Sequence, residues 1–153
     1  MVWRSRRSAG SLGWIEATAS RSRSIESSAV TVACAVSAGI HAALAPEHLA
    51  ERTAAGLGFV SASVLLLALA VTLTLRPNGP ALVGAVLVLA CLIGSYLLAT
   101  TSGLPLLHPD PEAVDRLALL TKAIEAAGLI AAVHLLRRPR AARALPQPKG
   151  TPV

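Results

Sequence analysis

Two stretches of the chain, residues 56–75 and 80–100, run without a single charged side chain. A helix rises about 1.5 Å per residue, so about 20 apolar residues cross the hydrocarbon core of a bilayer, and both stretches reach that length. Residues 29–45 are shorter and are interrupted only by His41. Residues 117–136 have the length but carry Lys122, Glu125 and His134. The pattern predicts four transmembrane helices, at about 29–45, 56–75, 80–100 and 117–136, joined by short links. The fold class is therefore all-α: a polytopic membrane protein built as an antiparallel four-helix bundle.

Composition supports this reading, because 54% of the 153 residues are hydrophobic and only 14% are charged, which is too apolar for a soluble domain of that size. The formal net charge of +6 matters less than its placement. Arg4, Arg6, Arg7, Arg21 and Arg23 precede the first span, and Arg137, Arg138, Arg140, Arg143 and Lys149 follow the last. Basic residues flanking spans are retained on the cytoplasmic side, so both termini are expected there. The link containing Arg76 then lies inside, and the acidic links 46–55 and 101–116 lie outside. Residues 1–28, rich in Ser and Arg, and the basic tail 137–153 are expected to be disordered flanks of the domain spanning residues 29–136. The first apolar stretch reads as an uncleaved anchor rather than a secretory signal. The basic ends lack the interleaved aromatics of a nucleic-acid module, and attraction to anionic lipid headgroups accounts for them.

Helices in lipid associate where small residues let backbones approach. Ala35, Gly39 and Ala43 recur at four-residue spacing, as do Ala54, Gly58 and Ala62, and Ala123, Ala127 and Ala131. These stripes are the expected packing faces. A homo-oligomer or a membrane partner is compatible with them. Cys34 and Cys91 both fall inside spans and are expected to act as small hydrophobes, without a disulfide or a metal. Tyr96 suits the outer interface.

The polar residues concentrate near the predicted outer face. In "HAALAPEHLAE", residues 41–51, Pro46 and Glu47 read as the first turn of a new helix. "HPDPEAVD", residues 108–115, repeats the device, with Asp110 as the cap followed by Pro111 and Glu112. His48 and Glu51 share a helical face, and His41 joins them only if the axis continues through Pro46. His41, His48 and Glu51 with Glu125 contain the ligand types of a transition-metal site for zinc, copper or iron. The alternative is a solvated turn beside an interior histidine. Lys122 and Glu125 are the costliest residues, at depths of about 7 and 12 Å in the last span. A charge at the bilayer centre costs at least about 2.5 to 3.5 kcal/mol, so each needs a partner. Being three residues apart they can pair, and His41 can complete a polar cluster with them if the first and last spans touch. His108 reads as an exposed loop residue, and His134 lies at the C-terminal end of its helix, where a cationic or polar side chain suits the dipole.

No Gly-rich phosphate loop, Cys-x-x-Cys pair or Gly-x-Ser-x-Gly elbow is present, and no catalytic residue is assigned. His41 and His134 fall near opposite faces, which argues against a haem held between them. Through His41, Pro46, Glu47, His48 and Glu51, then Gly56 and Gly58, then "GLPLLHPDPE", the chain resembles a group of small four-span membrane proteins of high-GC bacteria. The resemblance spans residues 29–136 and implies a bacterial plasma-membrane setting and the same architecture, but no activity. Two functional readings stand: a metal- or proton-linked His/Glu site supporting transport or a partner complex, and a non-catalytic assembly subunit whose polar groups only fix helix packing.

Overall fold

The computed structural model describes residues 9–103 and 114–138, with side chains from residue 21 onward. Its elements are four helices: α1 (Ala9–Glu51), α2 (Thr53–Leu75), α3 (Gly79–Thr101) and α4 (Arg116–Arg137). Each contains a stretch long and apolar enough to cross a membrane, in α1 the portion Arg21–Glu51. No strand occurs among the described residues.

The helices pack in a ring, α1 on α2, α2 on α3, α3 on α4 and α4 back on α1. Leu66 of α2 and Leu89 of α3 are fully buried at its centre, with Val30 and Cys34 of α1 and Ala132 of α4 around them. At one end Glu26 Oε1 accepts from Arg138 at 2.7 Å and lies 3.2 Å from His134 Nδ1, so the start of the apolar part of α1 and the end of α4 lie side by side. The other end holds the C-termini of α1 and α3 and the N-termini of α2 and α4.

Local chemistry explains most element ends. Asn78 accepts from the Ala81 N–H at 2.8 Å to open α3, with Pro80 in the first turn. Gly103, at φ 70°, terminates α3 in the left-handed conformation that glycine takes without steric cost. α4 opens at Asp115, which accepts from the Ala118 N–H at 2.7 Å. The caps expected at Asp110, Pro111 and Glu112, and the loop residue His108, lie outside the described residues.

Three expectations change. The first 28 residues do not form a disordered flank throughout, because α1 is helical from Ala9. No proline precedes Pro46, and the Glu26–Arg138 pair ties this extension to α4. Residues 1–8 and 139–153 lie outside the described part. Second, Pro46 does not start a helix; α1 runs through it to Glu51. A proline forfeits one backbone hydrogen bond, and packing on both sides of it by His41 and His48, which each rest against the Phe59 ring, holds the axis together. The link expected at 46–55 shrinks to Arg52, in extended conformation. Gly56 makes this reversal feasible, since a Cβ there would overlap the Leu49 side chain and lie 2.6 Å from its Cα.

Third, most of the small-residue stripes are not packing faces, although Ala62 is buried and Ala131 packs against the core. Ala35, Gly39, Ala43, Ala123 and Ala127 are exposed, and nothing comes within 4 Å of a Cβ built on Gly39 or Gly58. Close approach occurs instead at Gly128, where a Cβ would lie 2.5 Å from that of Ala33. In an alanine-rich chain four-residue repeats of small residues fall on every face, so spacing alone does not choose among them.

Candidate functional site

The seam between α1 and α4 is lined on one side by Ala33, Ser37 and His41 and on the other by Thr121, Glu125 and Gly128, all at helical three- or four-residue spacing. The missing side chain at Gly128 brings the two backbones close enough for short polar side chains to meet. There Ser37, 0% exposed, donates its hydroxyl proton to Glu125 Oε1 at 2.6 Å. Lys122 donates to Glu125 Oε2 at 2.7 Å. Both oxygens of a carboxyl group that is itself 0% exposed therefore act as acceptors, the pattern of an ionised carboxylate.

His41, 7% exposed, extends this arrangement along α1. Its Nδ1 lies 2.9 Å from the Ser37 carbonyl, which only accepts, so Nδ1 carries a proton. The same nitrogen is 3.3 Å from Ser37 Oγ. The ring is thus oriented with Nδ1 toward Ser37, leaving Nε2 as its other polar atom. Lys122 is held from a second direction: its ammonium is 3.4 Å from the Leu92 carbonyl and 5.6 Å from the centroid of the Tyr96 ring on α3. The result is one chain of contacts, His41–Ser37–Glu125–Lys122, crossing from α1 to α4 and ending against α3.

The two ends of this chain, His41 and Lys122, reach the floor of a cavity of about 380 Å³ that opens toward the end of the bundle remote from the described termini, with Ser37 and Glu125 buried behind them. His41 and Lys122 line it, with His48, Phe59 and Tyr96 on its walls and Glu47 and Asp115, both exposed, at its rim. The volume is within the range of small-molecule sites, and the mixture of apolar wall and a few convergent polar groups is characteristic of them. Below Glu125 the interior closes with Cys34, Val30, Leu89 and Ala132.

Several residues singled out from the sequence come together here and others do not. His41, Lys122 and Glu125 form the polar cluster, and His41 and His48 share one face, His41 tilted against Phe59 with centroids 5.3 Å apart and His48 edge on to it at 4.0 Å. The four-residue metal set of His41, His48, Glu51 and Glu125 is not assembled: among the described residues no three His, Cys, Asp or Glu side chains converge on a point where a metal ion fits. Glu51 is exposed as the last residue of α1, about fifteen helical ångströms along the axis from His41. Ser37 was missed by sequence reasoning, although it stands four residues before His41, the spacing at which helical side chains meet. Tyr96 faces the cavity rather than serving only the interface; its hydroxyl is buried without a hydrogen-bond partner among the described residues. Cys34 and Cys91 are both free thiols, the first buried and the second exposed on the bundle surface. His134 joins Arg138 around Glu26 at the opposite end.

No protein-family model, curated protein or solved structure matches this chain.

Proposed function

We propose that the chain is a multi-pass protein of a bacterial plasma membrane whose cavity floor is a proton-linked site, loaded from the external face and coupled to the binding of a small ligand or a partner. The single observation that carries this reading is the hydrogen-bonded chain His41–Ser37–Glu125–Lys122 at the base of an open cavity. An imidazole that takes a proton at Nε2 and releases the one on Nδ1 passes it to Ser37, whose hydroxyl already points at Glu125. Protonating Glu125 removes the charge that offsets Lys122. An unpaired ammonium at that depth is costly, so Lys122 turns toward the cavity and its charge appears there. The titratable groups facing the cluster are Cys34, His41, His48 and Glu47 from α1, Tyr96 from α3, and Asp115 and Lys122 from α4; α2 contributes Phe59. The apolar closure beneath Glu125 makes this a site with access from one face, not a pore.

External placement of the cavity follows from the arginines at the opposite end under the positive-inside rule, and belongs to the same proposal, as does likeness to the small four-span proteins of high-GC bacteria. The proton reading takes precedence over the metal reading because the cluster brings together one imidazole and one carboxylate rather than a ligand set. The test is infrared difference spectroscopy of the purified protein in lipid nanodiscs across a pH series. A protonated-carboxyl band that appears reversibly and disappears in Glu125→Gln supports the reading. Absence of such a band throughout the pH range in which the protein stays folded leaves the second reading, a packing clasp in an assembly subunit, which the full hydrogen-bond satisfaction of Glu125 also favours.

A further inference from the structure

The charges around the cavity do not balance. Lys122 is the one cation that lines it among the described residues, and its charge is offset by Glu125 at 2.7 Å. Arg52 and Arg116 lie at the same end of the bundle but do not line the cavity. Glu47 and Asp115 at the rim have no such offset within it: neither makes an ion pair with a described residue at 4.0 Å or less. The open part of the cavity therefore carries a negative rim over a neutral floor.

The walls add to the same preference. Tyr96 and Phe59 present aromatic surface on α3 and α2, and the negative face of such rings attracts cations. The molecule demonstrates this itself, since the Lys122 ammonium already sits 5.6 Å from the Tyr96 centroid. His41 and His48 supply nitrogen atoms but no fixed positive charge. Inorganic cations require several oxygen or nitrogen ligands at short range, and no group of three His, Cys, Asp or Glu side chains converges here among the described residues. A carboxylate-bearing ligand would have to pass two like charges at the rim. A compact organic cation instead gains from the rim electrostatically, from the rings by cation–π contact, and from the alanine- and leucine-lined walls by burial.

We propose that this cavity binds a small lipophilic organic cation, of the quaternary or protonated amine class, between the Glu47 and Asp115 rim and the Phe59 and Tyr96 walls. From the preceding section the proposal takes only the paired, neutral Lys122–Glu125 floor. A permanently charged ligand is the cleanest probe, because its own charge does not change with pH.

The experiment is equilibrium binding of benzyltrimethylammonium to the full-length protein in zwitterionic nanodiscs, with neopentylbenzene as the neutral isostere and benzoate as the anion. The expected result is saturable binding of the cation that neither competitor displaces. Binding weakens by about tenfold in the double variant Glu47→Gln/Asp115→Asn, with asparagine keeping the α4 cap, and by a similar factor in Tyr96→Leu. Equal binding by wild type and both variants shows mere partitioning and overturns the proposal, as does tighter binding of benzoate. Should the double variant fail to fold, Tyr96→Leu and the isostere comparison decide alone. The carboxyl band of the ligand-free protein separates the two readings. Band retained with no cation binding rejects this proposal only; cation binding with no band rejects the proton-linked reading only.

Discussion

At the scale of single residues, Glu125 is the position on which the interior depends. Its replacement by alanine leaves Lys122 without its carboxylate and Ser37 without an acceptor, and should lower stability by about 3 kcal/mol. Glu125→Gln, which preserves shape and keeps one of the two acceptor oxygens, should cost less. Chemical denaturation of both variants followed by circular dichroism gives the comparison, and a Glu125→Gln variant as stable as the wild type would contradict the role of the charge. Ser37→Ala removes one charge-assisted hydrogen bond, worth about 1.5 to 3 kcal/mol, while leaving His41 anchored to the Ser37 backbone carbonyl. It should therefore abolish the pH response of the carboxyl band more completely than it perturbs folding. Elemental analysis of purified wild type and of His41→Ala should find no stoichiometric zinc, copper or iron in either. One metal per chain in wild type, lost in the variant, would restore the metal reading. The costly pair Lys122 and Glu125 was legible from depth alone, since a charge in hydrocarbon demands a partner. Ser37 was not, because a serine in a helix ordinarily bonds its own backbone and nothing local announces a partner 88 positions away in the chain.

Among the elements, two glycines set how closely helices meet. Gly128→Ala places a methyl group 2.5 Å from the Ala33 Cβ and 3.3 Å from Leu89, so α1 and α4 must separate and the Ser37–Glu125 bond must lengthen. A loss of about 1 to 3 kcal/mol is expected, together with a shift of the Glu125 carboxylate stretch. Gly56→Ala collides with Leu49 at the α1–α2 reversal and should cost a comparable amount, whereas alanine at Gly39, which has open space around it, should be tolerated. Thermal denaturation of the three variants distinguishes them, and equal midpoints would contradict the assigned contacts. Pro46 provides a sharper contrast. Inside a continuous α1 its replacement by alanine restores a backbone hydrogen bond and stabilises the helix by up to about 3 kcal/mol. At the start of a new helix the same change would be neutral or unfavourable. The spans of α2 and α3 were legible to within a few residues because no charged residue interrupts them. The helical reach of α1 was not, since its beginning and end are polar and are held by Arg138 and by Phe59, which only packing brings near.

For the whole molecule, the ring of four helices puts the basic ends together and the cavity at the other end. Reporter fusions after Arg76 and at the C-terminus should read cytoplasmic, and a fusion near Glu51 external. The opposite pattern would turn the cavity toward the cytoplasm without altering its chemistry. What the sequence determined by itself was the class of fold: the number of membrane-length apolar stretches, their alternating direction, and the need for Lys122 and Glu125 to be offset. These follow from free energies that act residue by residue, the transfer of side chains and backbone into lipid, and so survive without knowledge of neighbours. The tertiary structure decided which faces meet, that Ser37 joins His41 to Glu125, that Glu51 stands apart, and that Tyr96 and Phe59 wall a cavity. Those outcomes depend on the rotation of each helix about its own axis, which in lipid is set by close packing at positions such as Gly128 rather than by hydrophobicity, and an alanine-rich sequence presents many equivalent faces from which only the assembled bundle chooses.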